Sequence, residues 1–226
     1  MAFFRCCIFI LIDGHKLDII STRCTVALCG GIPHLEFNRK DVEPLSFKIS
    51  ALADLSGADS LMVAKIIDYP LEKAEYKPFA QARLCALPNG LAVQMWAFEA
   101  QPAPKSSLQV VLCKHGCPVV SAQLWSSGAL EVLTDGNPTP NLCTLFPLWG
   151  EDLQGRYWGG SLVFDKAMLQ TLWGDDCLEV GSILQGNLYK LSTDEHKPHM
   201  GSLFPADFTA DPYSTGSFGE FEFVSY

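Results

Sequence analysis

Positive charge is scarce in this sequence. Its 16 Lys and Arg face 25 Asp and Glu, a formal charge of -9, and such a surface repels phosphate backbones and anionic lipid. Neither nucleic acid nor a membrane is therefore expected as a partner, while a neutral ligand meets no such penalty. Charge of either sign makes up only 18% of the 226 residues and hydrophobic side chains 48%, which is enough to bury a core and too little charge for disorder. Length alone favours one large domain over two small ones.

Long apolar runs are also missing, and none is long enough to span a bilayer. The opening stretch 1–12, MAFFRCCIFILI, is short for a signal-peptide core, is followed at once by DGHK, and lacks a small-residue cleavage site. It reads as a first strand or a misplaced start rather than an export signal. On this reading 1–20 is an N-terminal apolar segment and 21–226 a single β-sandwich domain.

A disulfide framework is absent. Nine Cys, an odd number, are scattered at positions 6, 7, 24, 29, 85, 113, 117, 143 and 177, without the tight even spacing of small secreted domains. They read as reduced, buried, small apolar residues, and this usage favours the cytoplasm. The segment 113–117, CKHGC, has thiols and an imidazole that suit zinc, but two further ligands at matching spacing are missing. A hairpin turn is the simpler account, and no metal is expected.

Catalytic signatures are missing too. There is no Gly-x-Ser-x-Gly elbow, phosphate loop or dinucleotide fingerprint. A glycosidase needs two carboxylates across a sugar, and the adjacent pairs Glu151-Asp152 and Asp175-Asp176 read as solvated loop residues. Helical pattern is scarce, the best stretch being 165–173, with Asp165 as N-cap, Met168, Leu169 and Leu172 on one face and Gly174 as the stop. A weaker one lies near 48–55.

What the chain does carry is strand pattern. The run 81–87, the turn residues Pro88-Asn89-Gly90 and the run 91–98 predict a β-hairpin whose Asn-Gly pair takes positive φ angles. In its second strand Leu91, Val93, Met95 and Ala97 alternate with Ala92, Gln94, Trp96 and Phe98. Further strand-like runs cover 108–113, 119–125 and 129–133, and in the closing stretch Phe221 and Phe223 face in while Glu220 and Glu222 face out. Many short strands punctuated by Gly and Pro predict an all-β antiparallel sandwich, jelly-roll-like, of about eight to eleven strands with one or two short accessory helices.

Aromatic residues point to a ligand class. Trp149, Tyr157, Trp158 and Trp173 fall within 25 positions, with Tyr189 and Phe204 beyond, and flat rings are what proteins set against the C-H faces of sugars. Rings at strand positions also fill cores, and the residues alone leave both readings open.

Three segments then occur in order: GNLYK at 186–190, HMGSLFP at 199–205 and FGEFEF at 218–223. Together with QARLC at 81–85, NGLAV at 89–93 and EDLQGRYWG at 151–159, they make the chain from about 77 onward resemble the family 9 carbohydrate-binding modules. The resemblance implies a stand-alone, non-catalytic domain that takes a mono- or oligosaccharide by ring stacking and hydrogen bonds and needs no cofactor. Modules of this kind usually work on polysaccharide outside the cell, in carbohydrate catabolism. The matching positions are Arg83, Asn187, Tyr189, Lys190 and His199, while Leu203 stands where the family loop usually carries Trp, followed by Phe204. With the ring cluster, these place a shallow site near the loops around 149–158 and 187–204. A glycan-processing hydrolase is the alternative, as is the superfamily's haem-binding branch, for which Met95, His199 and Met200 would be the axial candidates.

Overall fold

Alternating side chains decide where each strand of this chain packs. The computed structural model describes residues 46–71 and 77–225. The apolar segment 1–20, the rest of the expected domain up to residue 45, and Cys6, Cys7, Cys24 and Cys29 lie outside them.

In chain order the strands are β1 (Ser46–Ala51), β2 (Ala64–Ile66), β3 (Ala80–Leu87), β4 (Gly90–Ala97), β5 (Ser106–Cys113), β6 (Val120–Trp125), β7 (Leu130–Thr134), β8 (Asn137–Pro138), β9 (Cys143–Asp152) and β10 (Gly155–Asp165). Helix α1 (Lys166–Trp173) follows, then β11 (Ile183–Ser192), β12 (His199–Ser202) and β13 (Gly219–Val224). They hydrogen-bond in the order β8-β7-β6-β5-β11-β13-β1-β3-β4-β10-β9, with β12 on β11 and β2 on β3. The sheet curls so that β9, β10, β4 and β3 face β6, β5, β11 and β13. That makes a β-sandwich, as expected, and all described strands belong to one compact unit, Leu45–Tyr226.

Between the layers lie Leu84, Leu91, Val93, Met95, Leu162 and Phe164 from one side, and Leu108, Val110, Leu112, Leu124, Leu188 and Phe221 from the other. Each such side chain contributes roughly 1.5–3 kcal/mol by leaving water. The alternation in β4 and β13 is the reason these residues meet.

Four features depart from expectation. The sandwich is not wholly antiparallel: β1, which lies between β13 and β3, runs parallel to both. Thirteen strands occur among the described residues, the surplus being short β2, β8 and β12. The weak helical pattern near 48–55 is strand β1 followed by a 3-10 turn, Leu55–Ser60. Ile49 from that strand is fully buried, so alternation outweighs helix propensity there. In the 81–98 hairpin the turn residues are Pro88 and Asn89, since Leu87 pairs with Gly90. Asn89 is not left-handed and Gly90 alone has positive φ. A Cβ at Gly90 would collide with the Phe164 carbonyl of β10, so glycine is needed for strand approach rather than for the turn.

Helix α1 forms where its sequence says. The Asp165 carboxylate accepts from Met168 N at 2.9 Å, and Gly174 at φ 92° ends it. Segment 113–117 is the tight β5–β6 turn, closed by Cys117 N donating to Lys114 O at 2.9 Å with Gly116 at φ 73°. The described cysteines are free thiols, and burial pushes the Cys85 thiol up to about 11 and that of Cys143 to about 12.

Candidate functional site

The two outer faces of the sandwich are treated differently by the chain. Over β5 and β11 the loop 203–218 closes the face: Val111, Tyr189 and Ala206 pack with Leu191, Phe208 and Phe218. Asn187 fastens this loop. Its amide nitrogen donates to Phe204 O and Ser217 O at 2.9 and 2.8 Å, and its oxygen accepts from Leu188 N and Phe204 N at 2.8 and 3.0 Å. Two donors and two lone pairs are thereby all used, leaving Asn187 nothing to offer a sugar. Tyr189, fully buried, donates to Pro212 O and meets Phe208 and Tyr213 edge-on. Phe204 packs edge-on against Phe221, 6% exposed.

Lys190 and His199 point the other way, into the sandwich. Glu99 Oε2 accepts from Trp158 Nε1 at 3.0 Å and Ser106 Oγ at 2.8 Å, and lies 3.1 Å from Lys190 Nζ. Lys190 also reaches Ser106 Oγ and, at 2.7 Å, His199 Nε2, while its ammonium sits 5.6 Å from the Trp158 ring centre. These groups come from both layers and tie them together. Burial lowers Lys190 to about 8 against the pull of Glu99, and burial with the Lys190 charge lowers His199 to about 4. His199 is thus neutral, with Nδ1–H donating to Lys197 O at 2.9 Å and Nε2 accepting from Lys190. With both ring nitrogens engaged and Met95 fully buried, these residues do not fit a haem. Trp158, 2% exposed, is core and not a stacking platform.

Asn187, Tyr189, Lys190, His199, Phe204 and Trp158 therefore hold the fold, and the structure does not bring them to a surface site. Trp149 is exposed opposite Trp158 across the β9–β10 ladder, on the side away from Leu148 and Tyr157.

Arg83 and Tyr157 do meet, on the outer face of β3, β4, β10 and β9. The register sets Arg83 beside Gln94 and Gln81 beside Trp96, all pointing away from the core. Together with Asp59, Leu148, Asp152 and Tyr157 they line a cavity of about 390 Å³, within the range of small-ligand sites. The Arg83 guanidinium lies 5.1 Å from the centre of the Trp96 ring and pairs with Asp59 at 2.6 Å. Arg83 Nε has no hydrogen-bond partner among the described residues. Gln94 donates to Ser161 Oγ at 3.2 Å. Tyr157 is held edge-on by Phe98, which stacks on Phe79, and its ring crosses β9 where a side chain at Gly150 would collide with it. Flat apolar rings, two amides, a guanidinium and two carboxylates thus converge on one opening.

Sequence reading missed Trp96, Gln81, Gln94 and Asp59. The signal was present for the first three, since a Gln and a Trp occupy the outward alternation of β4 opposite Gln81 and Arg83. Asp59 comes from a 3-10 turn that pairing patterns do not announce.

No family model and no curated protein matches the chain. Solved structures do match in fold. A protein from Bacteroides uniformis assigned as carbohydrate-binding superposes with a TM-score of 0.61 at 15% identity, over 80% of this chain and 100% of its own. A family 9 carbohydrate-binding module from Caldicellulosiruptor kristjanssonii, in complex with cellotriose, gives 0.57 at 12% identity over 80% and 95%. A family 9 carbohydrate-binding module from the same organism, in complex with glucose, gives 0.56 at 12% identity over 80% and 97%. The chain has the β-sandwich fold of these carbohydrate-binding modules.

Proposed function

We propose that the protein binds a neutral carbohydrate in the Arg83–Trp96–Tyr157 pocket and does no chemistry on it. The observation that carries this reading is the convergence of the Trp96-supported guanidinium with Gln81, Gln94 and the Tyr157 ring on the open face of the sandwich. Arg83 and the amides suit hydroxyl oxygens, Asp59 and Asp152 suit hydroxyl protons, and Tyr157 with Leu148 offers apolar surface to a pyranose C-H face. Fold neighbours in complex with glucose and cellotriose support the ligand class.

A hydrolase is disfavoured by how the two pocket carboxylates are employed. Asp59 pairs with Arg83 and Asp152 caps its own hairpin by accepting from Gln154 N at 2.7 Å. Neither is presented as an acid-base pair across a sugar.

A shallow, open site of this kind is expected to bind at roughly micromolar to millimolar, a net of about 8 to 4 kcal/mol. Calorimetric titration with glucose, cellotriose and a panel of neutral glycans tests this. Arg83→Ala is expected to weaken the observed binding at least about tenfold, a loss of about 1.4 kcal/mol. Absence of binding to every glycan, or release of reducing sugar that stops when Asp59 or Asp152 is replaced, overturns the reading.

A further inference from the structure

The β3–β4 hairpin that carries the pocket has a counterpart in the opposite layer. In β3 and β4 the register sets Gln81 opposite Trp96 and Arg83 opposite Gln94. In β5 and β6 it sets Ser107 opposite Trp125 and Gln109 opposite Gln123. Leu108, Val110, Ala122 and Leu124 alternate with these four and fill the core, so Ser107, Gln109, Gln123 and Trp125 lie on the outer face. Gln94 donates to Ser161 Oγ at 3.2 Å, and Gln123 donates in the same way to Ser107 Oγ at 2.9 Å. Gln109 thus stands where Arg83 stands, diagonal to a tryptophan, and brings no charge. Among the described residues the cations over indole rings are Arg83 on Trp96 and Lys190 on Trp158, so Lys105, just before β5, leaves Trp125 uncovered. At outward positions β5, β6, β7 and β11 have no Lys, Arg or His. A carboxylate is nevertheless in place. Glu131 of β7 is exposed and lies opposite Gln123, on the other diagonal from Trp125, a spacing of roughly 7–8 Å.

We propose that the outer face of β5, β6 and β7 docks a partner protein through an arginine, whose guanidinium lies on the half-buried Trp125 ring, pairs with Glu131 and donates to Gln109 Oε1. Gln109 supplies the observation that is independent of charge. Its side chain is 8% exposed and its Oε1 has no hydrogen-bond partner, whereas buried amide oxygens in folded proteins are nearly always paired. An incoming N–H completes it. A guanidinium is planar and carries five donors, so one group can stack on the ring and still donate to both a carboxylate and an amide oxygen. An ammonium is a point charge and serves fewer of these partners at once. Loop 203–218, which borders the face, carries Asp207 and Asp211 at exposed positions and no Lys or Arg. A basic partner therefore meets complementary charge from this loop as well as from the formal charge of -9 on the whole chain.

The test is fluorescence anisotropy with labelled oligo-arginine and oligo-lysine peptides of equal length, at an ionic strength of about 0.15 M, where charges further apart than roughly 8 Å are largely screened. Wild type is expected to bind the arginine peptide about tenfold more tightly than the lysine peptide, about 1.4 kcal/mol. Glu131→Gln keeps the shape of an exposed side chain and should weaken arginine-peptide binding about tenfold. Glu179→Gln removes the same charge from an exposed position after α1 and should leave binding unchanged. Gln109→Met keeps the volume and deletes the unpaired oxygen, so it should weaken binding several-fold with no loss of stability in urea. Absence of arginine-peptide binding to wild type overturns the proposal, as does wild-type affinity in Gln109→Met. Equal affinity for the two peptides, or equal weakening by Glu131→Gln and Glu179→Gln, overturns it in favour of an acidic surface that attracts cations without a site.

Discussion

The molecule sets a cation against a tryptophan and a carboxylate twice, once inside and once outside. Inside, Lys190, Trp158 and Glu99 form a trio with both charged side chains 0% exposed. Outside, Arg83, Trp96 and Asp59 form another, with side chains 18% and 94% exposed. The inner trio is closed by further protein groups, among them Ser106, His199 and the Leu191 carbonyl. In the outer trio the Asp59 carboxylate faces solvent, while Arg83 Nε is buried and has no hydrogen-bond partner among the described residues. The same three chemistries make a bolt in low dielectric and, on the proposed reading, a receptor at the surface, and burial decides which.

Removing one partner of the inner trio should have the largest effect on the fold. Glu99→Gln leaves the Lys190 ammonium buried without its counter-charge, and an orphaned buried charge costs about 3–5 kcal/mol. That is a large share of the roughly 5–15 kcal/mol that holds a domain folded. Replacing both groups, Glu99→Gln with Lys190→Met, should restore part of the loss because no charge is then stranded. Urea denaturation checks both variants. A single variant as stable as wild type would mean the inner trio is no bolt.

Acid should loosen the inner trio more gently. His199 is held near 4 by burial and by the Lys190 charge, against about 6.5 in an unfolded chain. Between these values the unfolded state takes up a proton that the folded state refuses. The stabilising contribution is therefore complete above pH 6.5 and is lost as pH falls toward 4, at up to about 1.4 kcal/mol per pH unit. Lys190, lowered to about 8, acts in the same sense, so stability should also rise as pH climbs from 8 toward the ordinary lysine value. Denaturation midpoints between pH 4 and 8 should slope in wild type and flatten in His199→Gln. Parallel slopes would remove His199 from the account.

How much of this was legible in sequence follows from the range of each interaction. Alternation in 91–97 and 219–224 and the Asp165 cap are local signals, and the structure carries them as expected. Strand β1 was unreadable because its partners, β13 and β3, are far away in sequence and parallel, so no turn announces the pairing. The candidate site was legible only in part. Arg83 and Tyr157 lie in the pocket, but motif residues such as Asn187 and Lys190 serve the interior. Sequence shows a polar side chain without showing which face of the sandwich it points from. Lys190 illustrates this best: it shares its strand face with Leu188, and the Glu99 that makes its burial tolerable lies on the far layer.

The gentlest test keeps the outer trio and removes a single charge. Asp59→Asn preserves shape and leaves an oxygen able to accept from Arg83, but it deletes the ion pair. Asp59 is almost wholly exposed, and pairs at such positions contribute about 0–1 kcal/mol to folding. Stability should therefore barely move, in contrast to Glu99→Gln inside the sandwich. Binding should respond more than folding does, because Asp59 pairs with the guanidinium that lies over Trp96 and, in the proposed site, has a free oxygen for a sugar hydroxyl. A few-fold weakening in calorimetric titration is the expected size. Salt sharpens the contrast: raising ionic strength from about 0.01 to 1 M shortens the screening length from roughly 30 to 3 Å, so wild type should drift toward the affinity of Asp59→Asn while the buried pair hardly notices. If Asp59→Asn instead destabilised the fold as much as Glu99→Gln, the outer trio would be a second bolt, and the pocket it lines would lose its claim to be a receptor.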